Sequence, residues 1–212
     1  MKQNKLILFD WGNIVESHYN GYGTSHAFND LFRSLGYNGD LDIFKSLGKY
    51  HLSLISTIEE LEKTYNEIKK DFNLVGDFNS FLVNYEKYFS KISYYRDVVS
   101  FEHSLHDACY IGILSNLIFL DKDRLDKQVN LKMYDFAFLS FEMKMRKPNR
   151  DIYEKVMEIT KFKPTDILFI DDSENNIKMG KELGWNTLLS TGKELDKIKK
   201  ACDEFLNKQG VK

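Results

Sequence analysis

Apolar residues along this chain gather in short, uninterrupted runs. Five of them, Leu6–Phe9, Cys109–Leu114, Phe136–Leu139, Ile167–Ile170 and Thr187–Leu189, are four to six residues long or slightly shorter, and none alternates with polar positions. Runs of that kind suit strands buried on both faces, as in a parallel sheet. Helical spacing falls between most of them, at Phe101–His106, Ile152–Ile159 and Asn175–Leu183. Strands alternating with helices predict an α/β fold, a doubly wound parallel sheet of Rossmann-like type.

The interval 17–95 breaks this rhythm. It offers no strand pattern, but Ile58, Leu61, Tyr65, Ile68 and Phe72 recur at three-four spacing, with Glu59, Glu60, Glu62, Lys63, Lys69 and Lys70 on the other face. Phe78, Phe81, Leu82, Tyr85, Phe89 and Ile92 repeat the pattern. A coiled coil needs a longer repeat than these two heptads, so the stripes read as inner faces of a helical insert. The expected organisation is a core of residues 1–16 and 96–212 interrupted by a helical unit at 17–95, hinged near 15–20 and 93–97.

Composition narrows the setting. Apolar residues make up 42 % of 212, enough to bury a core, and 30 basic against 32 acidic side chains leave −2, with no basic excess for nucleic acid. Cys109 and Cys202 lie in no metal-type or redox-type spacing and read as buried thiols. No run approaches the roughly 20 apolar residues of a membrane span, and Met1–Lys5 leads into the first strand without a signal region. These features predict a soluble, cytoplasmic protein that binds neither nucleic acid nor membrane. They leave its oligomeric state open.

Ligands of open parallel sheets bind at the carboxyl ends of the strands. The first strand runs into Asp10–Trp11–Gly12–Asn13, where Asp10 is either a turn residue or a carboxylate on the active edge. The second ends at Ser115 and Asn116, which can hold phosphate oxygens or cap the next helix. After the third come Arg146, Lys147 and Pro148; proline suits a first helical turn, Lys147 can point back over the sheet edge, and Lys144 and Arg146 read as solvated. The fourth ends at Asp171 and Asp172, followed by Asn175 and Asn176. Adjacent carboxylates after a buried run need a compensating cation. With Asp10 they make the hard oxygen set that Mg²⁺ prefers.

In order and position, these four pieces resemble the motifs of the haloacid dehalogenase-like superfamily, from Asp10 to Asp172. With the segment Gly184–Leu189 the resemblance covers nearly everything outside the insert, which is similar to that superfamily's cap. The forms Asp-x-Gly-Asn, Leu-Ser-Asn, Arg-Lys-Pro and Phe-x-Asp-Asp resemble the bacterial subgroup of glucose-1-phosphatase type. The resemblance implies a magnesium-dependent phosphatase acting on a small phosphorylated metabolite through an aspartyl-phosphate. Asp10 is then the nucleophile and Lys147 its cationic partner. Trp11 and Gly12 (through backbone amides), Ser115, Asn116 and Lys147 bind phosphate. Asp10, the Gly12 carbonyl, Asp171 and Asp172 hold the metal, Asp171 directly or through water, and Asn176 stands where many relatives carry a further acid.

One departure bears on mechanism. Most phosphatases of the superfamily carry a second Asp, a general acid, two residues after the nucleophile, where this chain has Gly12. Glu16, His18, Tyr19, His26 or His51 could replace it. Other readings are a phosphonatase-like C–P hydrolase using Lys45 or Lys49, a haloacid dehalogenase, and an inactive binding or regulatory module. A dehalogenase needs no metal, so the Asp171–Asp172 pair argues against it.

Overall fold

The computed structural model describes residues 2–17, 23–39 and 43–208. Among the described residues there are seven strands: β1 Leu6–Phe9, β2 Glu16–Ser17, β3 Ser93–Tyr94, β4 Tyr110–Ser115, β5 Phe136–Leu139, β6 Ile167–Asp171 and β7 Asn186–Leu189. The α-helices among the described residues are α1 Thr24–Ser34, α2 Ile43–Ser46, α3 Ile58–Asp71, α4 Phe78–Phe89, α5 Arg96–Ser104, α6 Lys122–Val129, α7 Ser140–Met143, α8 Arg150–Thr160, α9 Glu174–Glu182 and α10 Leu195–Asn207.

The main sheet is five-stranded and parallel, in the order β5-β4-β1-β6-β7. Its two faces explain the unbroken apolar runs. Ile7, Phe9, Ile111, Ile113, Leu168 and Ile170 pack against Val98 of α5, Leu125 of α6 and Ile198 of α10. Leu6, Leu8, Leu114, Phe138, Ile167 and Phe169 pack against Ile152 and Tyr153 of α8 and Ile177 of α9. Alternate side chains of one strand thus meet helices on opposite sides, and neither face needs polar residues. This is the doubly wound α/β fold expected from the sequence. Both cysteines are free and buried. No helix among the described residues is long and apolar enough to cross a membrane.

Helices α1 to α4 build a separate apolar cluster from Phe28, Phe32, Tyr65, Phe81, Tyr85 and Phe89. Tyr85 and Phe89 stack with ring centroids 3.9 Å apart, and Phe28 meets Phe89 edge-on at 4.9 Å. Local chemistry starts the two long helices: Thr57 accepts from the Glu60 amide at 3.2 Å, and Asp77 accepts from the Ser80 amide at 2.7 Å. The stripes turn inward within this unit. Ile58 is the exception: it stands in the first turn of α3 and remains 40 % exposed.

Two findings correct the sequence reading here. The interval 17–95 does contain strand: β2 and β3 form an antiparallel ladder of two residues each, Glu16 opposite Tyr94 and Ser17 opposite Ser93. A pairing that short carries no hydrophobic period, yet it holds side by side the two chain segments entering and leaving the helical layer. Pro148 does not open α8. The helix begins at Arg150, and Pro148 precedes its cap residue, after a cis Lys147–Pro148 bond.

Candidate active site

Parallel register sets the geometry. Phe9 lies between Ile113 and Ile170, so the next residue, Asp10, is level with Leu114 and Asp171, and its amide donates to the Ile170 carbonyl at 2.9 Å. β1 is the strand at which the connections diverge, toward β4 on one side and β6 on the other. The crevice at its carboxyl end is where such folds bind ligands. A cleft of about 520 Å³ opens there, lined by Asp10, Gly12, Ser115, Lys147, Asp172 and, from the helical layer, Phe28 and His51 among others.

Asp10, Asp171 and Asp172 each bring one carboxylate oxygen to within 4.8 Å of the others. Lys147, 1 % exposed, reaches them from the α7–α8 connection. Its Nζ donates to Asp171 Oδ2 at 2.6 Å and lies 3.0 Å from Asp10 Oδ1. Burial alone lowers a lysine pKa, but Asp10 and Asp171 outweigh it here, so the ammonium form is favoured. Burial pushes the Asp10 carboxyl up to about 6 against the pull of Lys147. Asp172 is raised by burial too, while Asn13 Nδ2, 2.5 Å from its Oδ2, opposes that shift.

Asp10, Lys147, Asp171 and Asp172 converge, but the donors around them are divided differently from the sequence reading. The Trp11 amide, expected to meet phosphate, donates to Asp10 Oδ1 at 2.7 Å. With Lys147 it fixes that oxygen, while Oδ2 lies on the Gly12 side. The Asn116 amide, also expected to meet phosphate, is engaged with the Lys147 backbone at both ends: its oxygen accepts from Lys147 N at 2.9 Å and its nitrogen donates to Lys147 O at 2.8 Å. Asp171 receives Lys147, the Ser173 amide at 2.8 Å and Asn176 Nδ2 at 2.9 and 3.0 Å. Its two oxygens are therefore occupied by protein donors, Lys147 among them. Ser115 and Gly12 line the cleft as expected.

The loop after β1 has a shape that sequence reasoning missed. Asn13 adopts φ +57°, a left-handed conformation that Asn tolerates better than most residues. The Gly12 carbonyl accepts from Ile14 N at 2.7 Å, the Trp11 carbonyl accepts from Val15 and Glu16, and the Asn13 carbonyl accepts from Gly192 at 2.8 Å. That last approach requires glycine, because a Cβ on Gly192 falls 2.2 Å from the Ile14 carbonyl. The signal was the Gly12–Asn13 pair itself, a turn dipeptide after a strand.

Several candidate proton donors are accounted for. Glu16 is buried and forms an ion pair with Arg124, which also binds Asp121 at 2.9 Å and stacks on the Trp11 ring at 4.5 Å. His18 and Tyr19 lie outside the described residues. His51 lines the cleft; His26 is not part of its lining. Lys45 lines the cleft, whereas Lys49 pairs with Asp71 at 2.7 Å on the surface. Lys144 and Arg146, read as solvated, both reach the helical layer: Lys144 binds the Leu54 carbonyl and Glu60, each at 3.0 Å, and Arg146 Nη1 meets His51 Nδ1 at 3.0 Å.

A sequence profile of haloacid dehalogenase-like hydrolases matches residues 21–190. The chain belongs to this family. Among curated relatives, it is 34 % identical to rat (Rattus norvegicus) bifunctional epoxide hydrolase 2 over 70 residues, a match spanning 31 % of this chain and only 13 % of that enzyme. Over 53 residues it is 36 % identical to D-ribitol-5-phosphate phosphatase of Bacteroides thetaiotaomicron, covering 25 % of this chain and 26 % of the relative. In fold it is similar to a family enzyme of Bacteroides thetaiotaomicron solved in complex with magnesium and inorganic phosphate. The TM-score is 0.71 at 20 % identity, covering 91 % of this chain and 96 % of that one.

Proposed function

We propose that this family member is a magnesium-dependent phosphatase of small phosphomonoesters, working through an aspartyl-phosphate on Asp10. The observation that carries this reading is the meeting of Asp10, Asp171 and Asp172 with buried Lys147 at one sheet edge. Three carboxylates against one ammonium leave two negative charges, which a divalent cation balances, and hard oxygen donors suit Mg²⁺. Asp10, Asp172 and the Gly12 carbonyl are the residues to hold it, with Asp171 acting through Lys147 or a bridging water. Magnesium, when bound, supplies positive charge against the phosphoryl oxygens.

The chain's own residues do the rest. Trp11 N and Lys147 anchor one oxygen of Asp10, so the carboxylate is oriented before it attacks phosphorus in line. Lys147 and Ser115 face the phosphoryl oxygens. Residues 17–95 act as the cap, excluding water from the cleft once substrate is bound. The Ser140 hydroxyl, at the end of β5, donates to the Ser53 carbonyl of that layer at 2.6 Å and ties it to the core. The relative acting on D-ribitol 5-phosphate and the likeness to the glucose-1-phosphatase subgroup both support a sugar or polyol phosphate as substrate, met in the cytoplasm.

A panel of phosphometabolites assayed with Mg²⁺ and with EDTA tests this reading. Release of inorganic phosphate that requires Mg²⁺ and disappears in Asp172→Asn is the expected result. Failure of every ester to turn over in either condition overturns it.

A further inference from the structure

Resting on the phosphatase reading, we infer that Arg146 and His51 form a second anion-binding subsite in the same cleft, so that the substrate carries a carboxylate or further phosphate besides the group hydrolysed. The α7–α8 connection sends out three cations. Lys147 is compensated by Asp10 and Asp171, and Lys144 by Glu60. Arg146 lines the cleft half-buried, and among the described residues it makes no ion pair. Arg124, by contrast, is bracketed by Glu16 and Asp121. A partly desolvated guanidinium facing a cleft without its own carboxylate is satisfied by an anion that arrives with the ligand.

The partner of Arg146 strengthens this. A guanidinium has donors only, so its contact with His51 uses the Nδ1 lone pair and places a ring hydrogen on Nε2. His51 is held at φ +49° between two short helical turns, a backbone conformation uncommon for a non-glycine residue. The pair therefore presents guanidinium hydrogens and an imidazole N–H with no competing acceptor. Arg146 is also rigidly mounted: its carbonyl accepts from Asn149 N at 2.9 Å, and the next residue is clamped by Asn116. Because Arg146 adjoins Lys147 in the chain, both anionic ends of a small substrate can be gripped within one cleft.

The test compares esters matched except for the second charge. Binding is measured calorimetrically with Mg²⁺ on Asp10→Asn, which cannot turn over: 3-phosphoglycerate against glycerol 3-phosphate, and fructose 1,6-bisphosphate against fructose 6-phosphate. The expected result is a preference for one doubly anionic member that falls by roughly 10–100-fold in Arg146→Gln, the worth of a charge-assisted hydrogen bond, and is partly restored in Arg146→Lys. The pair that responds distinguishes carboxylate from phosphate. No preference in either pair, or an equal loss on both members of a pair in Arg146→Gln, marks Arg146 as a mere tie between layers and overturns the subsite. Wild-type turnover separates the two readings. Hydrolysis without preference rejects the subsite and keeps the phosphatase. Selective binding without hydrolysis of any ester does the reverse.

Discussion

Asn116 clamps the main chain of Lys147 from both sides, accepting from its amide at 2.9 Å and donating to its carbonyl at 2.8 Å. The end of β4 thereby positions a lysine that follows β5. Replacing Asn116 with Ala removes both bonds and frees the backbone that aims Nζ at Asp10. We expect kcat to fall by about 10²-fold with little change in the circular dichroism spectrum, since small misplacements of a catalytic group cost that much. Steady-state kinetics on p-nitrophenyl phosphate measure it, and an unaltered kcat shows that the clamp is not needed.

Asp10 sits 7 % exposed with one oxygen fixed and the other toward Gly12. Asp10→Asn keeps the shape and removes the nucleophile, so turnover should vanish while the fold persists. Quenched reactions of the wild-type protein should trap an acid-stable, hydroxylamine-sensitive phosphoprotein that the variant lacks. Normal turnover by the variant excludes Asp10 as the attacking group.

At position 12 an added side chain has room. A Cβ there meets nothing nearer than Asp10 Oδ2, at 3.8 Å. Glu16 is spent on Arg124, so it does not stand ready as a proton donor. Wild-type rates should therefore drop steeply from aryl to alkyl esters, because poor alkoxide leaving groups need protonation. Gly12→Asp should raise alkyl-ester turnover selectively, within the roughly 10²–10⁴-fold that general acid catalysis supplies. Equal rates on both ester types in the wild type, unchanged by the substitution, point to another acid.

Far from the cleft, Glu102 of α5 is fully buried, hydrogen-bonded by the Tyr134 hydroxyl, and its other oxygen has no partner. Burial pushes its carboxyl up to about 8, although Tyr134 favours the ionised form. Above the ordinary value of 4.5 the unfolded chain has released a proton that the native chain retains. Stability is thus greatest below that pH, declines as pH rises toward about 8, and then levels. Glu102→Gln lacks this titration. Its melting temperature relative to wild type should climb between pH 5 and pH 8, and a pH-independent difference between the two proteins refutes the assignment.

The sequence by itself determined the five strands of the main sheet, and through them the edge on which the chemistry lies. All five apolar runs begin and end within one residue of a strand, because the central strands, buried on both faces, admit no polar interruption. Asp10, Ser115 and the Asp171–Asp172 pair were legible for the same reason, because polar residues at the ends of such runs stand out, whereas Lys147, eight residues beyond Leu139, was legible only through the motif order of the family it resembles. The helical stripes of residues 58–92 were equally plain, apart from Ile58 at a helix start.

Tertiary structure alone decided how the polar groups are shared. That Asn116 binds Lys147, and that Lys147 reaches Asp10 and Asp171, depend on contacts between distant segments, while Trp11 N turns back on its own neighbour Asp10 and Ser173 and Asn176 reach Asp171 from the loop and helix that follow it. No periodicity encodes such pairings. The same holds for Arg146, half-buried against His51, whereas Lys144 stays exposed as the sequence suggested while it binds Glu60 and the Leu54 carbonyl. Hydrophobic burial follows a local rule and can be read along the chain. Hydrogen-bond partnership is directional and set by which segments the fold brings within about 3 Å, so it exists only in three dimensions.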